Sequence, residues 1–143
     1  MKETVFNFLK KKQEKFCVLA TATKNGKPES AVLGYAIKDD FTILVSTHKG
    51  SRKAQNILEN NQVSLVVGWS FTEANVQCDG LATIIEKGNP LYANDEEFFF
   101  SINPYAAQFK SSDTIFIEIK PTWIRFTQFS SSLPHVEEIK DFT

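Results

Sequence analysis

The sequence predicts a mainly β protein with short helices, in which six or seven antiparallel strands close into a barrel. Strand-like apolar runs are joined by connections of mostly hairpin length, among them Asn25-Gly26 and Asp39-Asp40, and short connections favour antiparallel pairing. Gly80 lies inside one of these runs, where a glycine indicates a bulge or a bend. No long apolar helix is present to cover a flat sheet, so closure into a barrel is expected.

Short helices are expected at three places. The first, over residues 2–14, has an apolar face that includes Val5 and Leu9, and its last turn carries lysines, where cations suit the helix dipole. The second covers residues 51–60. The third begins at Asn94, whose side chain can cap it, and ends before Pro104.

The strands, with these short helices between them along the chain, are expected to form a largely antiparallel sheet. Pro121 is expected to break the chain between the last two strands, since a proline cannot donate to a sheet ladder. Residues 130–143 are expected to form a loose tail. The predicted strands cover residues 16–22, 29–38, 41–45, 63–69, 76–86, 114–120 and 123–129.

Composition excludes several classes of protein. The chain has 143 residues, 42% of them hydrophobic and 13 of them Phe, which argues against disorder and predicts one domain over residues 1–143. A net charge of −1 argues against a nucleic-acid partner bound through a basic surface. No run resembles a signal peptide or a membrane span. With only Cys17 and Cys78, the composition predicts a cytoplasmic, reducing location.

The segment from Ser46 to Ala54 is the strongest indication of function. It joins a strand to a helix, and a helix start offers free backbone N–H groups and a favourable dipole to an anion. Ser51 is a suitable N-cap, and Arg52 and Lys53 add charge and donors. The pattern therefore predicts a phosphate site. A capped surface helix with two solvated cations is the alternative that the segment leaves open.

Other side chains offer little further chemistry. His48 and His135 have no neighbours at metal-ligand spacing, so no metal site is predicted. Residues 98–100, all Phe, could line a pocket with Phe109, although packing is favoured because three consecutive residues cannot share one helix face. Trp69 and Trp123 are expected either to stack on an aromatic ligand or to lie in the core.

Taken in order, several motifs resemble those of one family. They are Leu19-Ala20-Thr21-Ala22, Asn25-Gly26-Lys27-Pro28, Ser46-Thr47, Gly50-Ser51-Arg52-Lys53-Ala54, Asn56-Ile57, Val63-Ser64-Leu65-Val66 and the strand containing Gly80. This order resembles the FMN-binding split-barrel proteins related to pyridoxamine 5′-phosphate oxidase, over about residues 16–129. The resemblance implies a split β-barrel and a homodimer with FMN at the subunit interface.

The resemblance also implies a set of cofactor residues. Arg52 and Lys53, after Ser51, match the positions that hold the FMN phosphate. Asn75 stands where the oxidase has a glutamine, and Trp123 matches an aromatic residue near the partner subunit's flavin. The residues implied to lie along the cofactor are Ser30, Ala31, Val32 and Leu33 of one strand and Ser46 and Thr47 at the end of another.

Two departures from the oxidase change the expected activity. Ala31 replaces an arginine, and no Arg-x-His-like element follows Trp123 to recognise the vitamin substrate. The chain is therefore more similar to the small general-stress and uncharacterised branches of the family. The sequence predicts an FMN-dependent oxidoreductase of unknown substrate. A non-catalytic flavin carrier or sensor, or a split barrel that binds haem or another cofactor, is the alternative.

Overall fold

The computed structural model describes residues 2–130 and 132–143. Seven strands and three α-helices alternate with short connections, and a 3₁₀ helix, Pro104–Phe109, follows the third α-helix. The elements are α1 (Lys2–Lys11), β1 (Phe16–Ala22), β2 (Pro28–Ile37), β3 (Ile43–His48), α2 (Arg52–Glu59), β4 (Gln62–Val67), β5 (Ala74–Ile85), α3 (Tyr92–Ile102), β6 (Thr114–Gln128) and β7 (His135–Ile139).

The sheet closes into an antiparallel barrel. Its strand order is β3-β2-β1-β4-β5-β6-β7, and a further pairing of β3 with β6 closes the ring of the first six strands. The seventh strand lies outside the ring and pairs with β6. The predicted fold class, mainly β with short helices and a six- to seven-stranded antiparallel barrel, is confirmed.

The prediction that Pro121 ends one strand and a new one begins at residue 123 is wrong. β6 is continuous from Thr114 to Gln128. Its register against β5 shifts between Asp79 and Gly80, so that Gly80 faces Pro121 and Asp79 faces Trp123. The bulge at Gly80 is confirmed, and it accommodates the proline within the strand. A Cβ atom at Gly80 would lie 2.8 Å from a side-chain carbon of Ile119, which explains why glycine suits this position.

The prediction of a loose tail over residues 130–143 is wrong for the segment that forms β7. Ile139 is buried and pairs with Ile124 of β6. Two helix boundaries also differ from the prediction. α1 ends at Lys11 instead of residue 14, and α3 begins at Tyr92, before Asn94. The side chain of Asn89 accepts a hydrogen bond from the Leu91 N–H just ahead of α3.

The core fills the barrel and continues beneath two of the helices. α1 lies against the barrel through Val5 and Leu9, both fully buried. Outside the ring, α3 packs Phe99 against Phe116 of β6. Phe99 therefore belongs to a core, while its neighbours in the Phe run are half-buried against the same cluster.

Both cysteines are buried and unbonded to each other. Burial raises the pKa of the Cys17 thiol and of the Cys78 thiol to about 12. In the described part of the chain, no helix combines the length and apolar character that a membrane crossing needs.

Candidate functional site

The turn between β3 and α2 has the geometry of a capped helix start. Ser51 is the N-cap residue of α2, and its Oγ accepts a hydrogen bond from the Ala54 N–H at 3.2 Å. Thr47, the last buried residue of β3, donates its hydroxyl to the Ser51 Oγ at 3.1 Å. This chain of hydroxyls fixes the direction in which the first residues of α2 leave the strand.

Arg52 and Lys53, which follow the cap, differ in their surroundings. The Arg52 side chain is 71% exposed and donates from Nη1 to Oε2 of Glu29 at 2.8 Å. Lys53 is half-buried, and burial, together with the charge of Arg52, lowers its pKa. Both line a small cleft of about 110 Å³, which we call the phosphate corner after the phosphate site that the sequence predicts. Its other lining residues are Leu19, Thr21, Glu29, Ser30 and Ala31.

Glu29 is held firmly in this corner. Its Oε1 accepts a hydrogen bond from Asn56 Nδ2 at 2.9 Å, and the same amide donates to Thr21 Oγ1 at 2.9 Å. The Asn56 hydrogen bond and the nearby charges of Arg52 and Lys27 lower the pKa of the Glu29 carboxyl, so it is ionised at neutral pH.

Sequence reasoning missed both Glu29 and Asn56. A weak signal was present, because Asn56 lies one helical turn after Arg52 and Glu29 lies two strand positions before Ala31. No local motif indicated that the Glu29 carboxylate would lie among the residues expected to hold a phosphate.

A second, more apolar cleft of about 270 Å³ lies beside the phosphate corner. We call it the aromatic cleft. Strands β2 and β3 form one wall, and α3 with the 3₁₀ helix forms the other. A Cβ atom at Gly34 would lie 2.6 Å from the Tyr105 hydroxyl, so the missing side chain leaves room for that ring. The lining residues are Phe16, Val32, Leu33, Gly34, Ser46, Thr47, His48, Phe99, Phe100, Tyr105, Ala106, Phe109, Lys110 and Thr114.

The structure brings most of the predicted site residues to these two clefts. Ser30, Ala31, Arg52 and Lys53 line the phosphate corner, and Val32, Leu33, Ser46 and Thr47 line the aromatic cleft. The two clefts are linked by consecutive residues of β2. Ser51 lines neither cleft, but its Oγ accepts a hydrogen bond from Thr47 of the aromatic cleft, and it directly precedes Arg52 of the phosphate corner.

Asn75 and Trp123 lie elsewhere on the same chain. Asn75 is half-buried near the start of β5 and pairs with Thr127, and Trp123 is half-buried on β6 opposite Asp79. Neither lines the phosphate corner or the aromatic cleft. Trp69 is 61% exposed, which excludes the core position, one of the two alternatives that the sequence left open for it.

The histidines do not form a metal centre in the part of the chain that the structure describes, where no group of three or more His, Cys, Asp or Glu side chains converges. His48 is exposed at the rim of the aromatic cleft. His135 lies on β7 with its Nε2 3.0 Å from a carboxylate oxygen of Glu137.

Comparison with curated proteins gives relatives that are longer than this chain. The chain is 29% identical over 101 residues to dihydrophenazinedicarboxylate synthase of Burkholderia lata, a match covering 71% of this chain and 46% of that protein. It is 27% identical over 122 residues to pyridoxine/pyridoxamine 5′-phosphate oxidase of Pseudoalteromonas atlantica, covering 76% and 54% of the two chains. The chain thus spans about half the length of these curated relatives.

Solved structures of similar fold cover nearly the whole chain. General Stress Protein 26 from Bacillus anthracis has a TM-score of 0.70 at 25% identity, and the match covers 87% of this chain and 92% of that one. A heme binding protein from Mycobacterium smegmatis also reaches 0.70, at 16% identity, over 87% of this chain and 52% of that one. The second likeness concerns the fold alone. A family model described as pyridoxamine 5′-phosphate oxidase matches residues 1–128, and the chain therefore belongs to the pyridoxamine 5′-phosphate oxidase family.

Proposed function

We propose that this protein binds FMN and acts as an FMN-dependent oxidoreductase on a substrate still to be identified. The phosphate would lie in the phosphate corner at Arg52 and Lys53, next to the N-cap residue Ser51. The rest of the cofactor would follow residues 30–33 of β2 and pass the end of β3 toward the aromatic cleft. The continuity of a cationic corner with an aromatic cleft along these two strands is the observation that carries the proposal.

The donor set of the corner fits a phosphate. Lys53 is half-buried and makes no ion pair within the described residues, so its ammonium is available to an anion. Ala31 leaves space on β2 where a longer side chain would enter the corner. The first N–H groups of a helix have no partner inside it, which favours an anion at the start of α2, although the Ala54 N–H is already bonded to the Ser51 Oγ.

The chain's own residues would bind and orient the cofactor, and the bound flavin would supply the redox chemistry. The aromatic cleft would exclude water from one side of the ring through Phe16, Phe100 and Tyr105. We assign no acid or base to the reaction. A carrier that holds FMN without turnover has the same corner and cleft, and turnover with a nicotinamide donor and an added acceptor distinguishes the enzyme from the carrier.

We further propose that FMN lies at the interface of a homodimer. Val32 lies on the cofactor strand with 64% of its surface exposed, which leaves an apolar residue for a partner to cover. Asn75 and Trp123, both matched to cofactor positions, lie away from the clefts of their own chain, as residues contributed to a partner's site would. Light scattering of the FMN-loaded protein tests the dimer, and a monomer at micromolar concentration would contradict it.

The cytoplasmic location stays a prediction.

The FMN proposal is tested by flavin titration of the wild type and the double variant Arg52→Ala/Lys53→Ala. A charge-assisted hydrogen bond contributes about 1.5–3 kcal/mol, with exposed groups at the lower end. We therefore expect the Kd for FMN to rise about tenfold or more while the melting temperature of the flavin-free protein changes little. Lys49→Ala is the matched control, because Lys49 belongs to the same turn but pairs with Glu86 outside the corner. An unchanged Kd in the double variant would show that the phosphate binds elsewhere.

A further inference from the structure

We propose that Glu29 is a specificity-determining residue of the flavin site, which weakens the hold on the FMN phosphate and so reduces discrimination between FMN and riboflavin. This inference rests on the proposed function, because it concerns the same phosphate corner. It differs from that proposal in naming a residue that opposes binding of the phosphate.

The position of Glu29 is fixed by contacts that a ligand does not need to disturb. Asn56 holds one carboxylate oxygen at 2.9 Å and is itself held by Thr21. The Glu29 side chain is only 11% exposed. The charge therefore remains in the corner when a ligand arrives.

The other carboxylate oxygen occupies Arg52. The Nη1–Oε2 distance is 2.8 Å, and Lys27 lies 3.5 Å from the same oxygen. A phosphate that binds to Arg52 must either displace this oxygen or share the guanidinium with it. In both cases Glu29 cancels one of the two positive charges that Arg52 and Lys53 bring to the corner.

Electrostatic opposition outweighs any orienting effect of Glu29 on Arg52. The Arg52 side chain is 71% exposed, so it can reach a phosphate without a carboxylate to direct it. The FMN phosphate carries between one and two negative charges at neutral pH, and a fixed carboxylate next to it repels it at short range. Ala31, two positions along the same strand, adds no cation, and the Lys27 ammonium near Glu29 belongs to a side chain that is 72% exposed.

The test compares FMN with riboflavin, which has the same ring and ribityl chain but no phosphate. Both are titrated against flavin-free wild type and Glu29→Gln, with flavin fluorescence as the readout. Gln keeps an oxygen that can accept from Asn56 and removes the charge. Removing the Glu29 charge from an ion pair whose Arg52 side is exposed should lower the Kd for FMN about two- to fivefold and leave the Kd for riboflavin unchanged.

Two further variants make the result decisive. Glu29→Ala should shift the ratio of the two dissociation constants in the same direction, so the conclusion does not depend on how Gln orients. Glu86→Gln is the matched control, since Glu86 pairs with Lys49 of the same turn at 3.4 Å but lies outside the corner; it should leave the ratio unchanged.

The outcomes distinguish a failure of the Glu29 inference from a failure of the proposal that the protein binds FMN. If FMN binds all the proteins but the ratio stays constant, or if Glu29→Gln binds FMN more weakly, Glu29 does not oppose the phosphate and the inference is overturned. If neither flavin binds any of the proteins, the proposed function fails and the inference fails with it. A selective gain in FMN affinity in both Glu29 variants supports both.

Discussion

Replacing Tyr35 by Phe tests how α1 is fastened to the barrel. Tyr35 is fully buried on β2, and its hydroxyl donates to the backbone carbonyl of Leu9 at 2.7 Å. Leu9 is among the last four residues of α1, whose carbonyls have no partner inside the helix. Burial raises the pKa of Tyr35, so the hydroxyl stays a donor across the physiological range. Phe keeps the ring and removes only this donor.

The loss follows from leaving one buried carbonyl without its donor. A hydrogen bond contributes about 0.5–1.5 kcal/mol net, and an acceptor that stays buried and unpaired costs about 1–3 kcal/mol. We therefore expect Tyr35→Phe to lower the free energy of unfolding by about 1–3 kcal/mol. At this chain length, each kcal/mol corresponds to about 2–4 °C in melting temperature.

Urea denaturation provides the assay, since a change in midpoint at constant slope reports a change in stability. Tyr105→Phe is the matched control, because the structure shows no hydrogen bond of the Tyr105 hydroxyl to any residue it describes. That control should unfold at the wild-type midpoint. Equal midpoints for both variants would refute the reasoning, because they would show that water replaces Tyr35 at the Leu9 carbonyl without cost.

Three other outcomes are expected. Gly68→Ala should lower the free energy of unfolding by about 1–3 kcal/mol or more in chemical denaturation. Gly68 has a φ of 81°, and a Cβ atom there would lie 2.5 Å from the Ala74 carbonyl oxygen. Gly50→Ala is the control, because a Cβ atom at Gly50 would have open space around it, and it should leave stability unchanged. Burial and the neighbouring Glu118 raise the pKa of Asp95 to about 6 from 3.8, against the opposite effect of Lys38, whose Nζ lies 2.6 Å from the Asp95 Oδ1. The native state thus holds a proton that the unfolded chain releases, so the stability of the wild type relative to Asp95→Asn should fall as pH rises from about 4 to 6; a rise over this interval would contradict the assignment. Finally, the FMN-loaded protein should not convert pyridoxamine phosphate to pyridoxal phosphate in an oxygen-coupled assay, because Ala31 and the segment after Trp123 depart from the oxidase motifs. Turnover near 1 per second, roughly the lower end for enzymes, would show that the protein is an oxidase of this substrate after all.

Much of the barrel could be predicted because its strands carry their own periodicity. Ile115, Ile117 and Ile119 alternate with other residues along β6, and short turns leave neighbouring strands no choice but antiparallel pairing. Pro121 was misread because its local preference opposes a strand. The bulge opposite Gly80 that accommodates it is a property of two strands together, so one strand's sequence does not reveal it.

The candidate site was predictable where it is local in sequence. The cap at Ser51 and the two cations after it belong to one turn, and the structure confirms that geometry. Glu29 was missed because its contacts reach across 23 residues to Arg52 and 27 residues to Asn56. No pattern within β2 distinguishes a polar residue that faces solvent from one that folds against a helix start. The role of residues 98–100, all Phe, was left open between pocket lining and packing for a related reason. Consecutive residues on one helix face different surroundings, so the run alone does not tell which of them reach a cleft.

The two halves of β6 pair with different strands at its free side, so modification near each half should have a different effect on the barrel. Its first half closes the barrel against β3, and its second half supports β7 on the same sheet. No residue of β7 lines the phosphate corner or the aromatic cleft. A label or tether attached to an exposed residue of β7 would therefore act on the outermost strand and leave the ring closure intact. The exposed side of β7 is thus the place to immobilise this protein for single-molecule or surface-based flavin measurements.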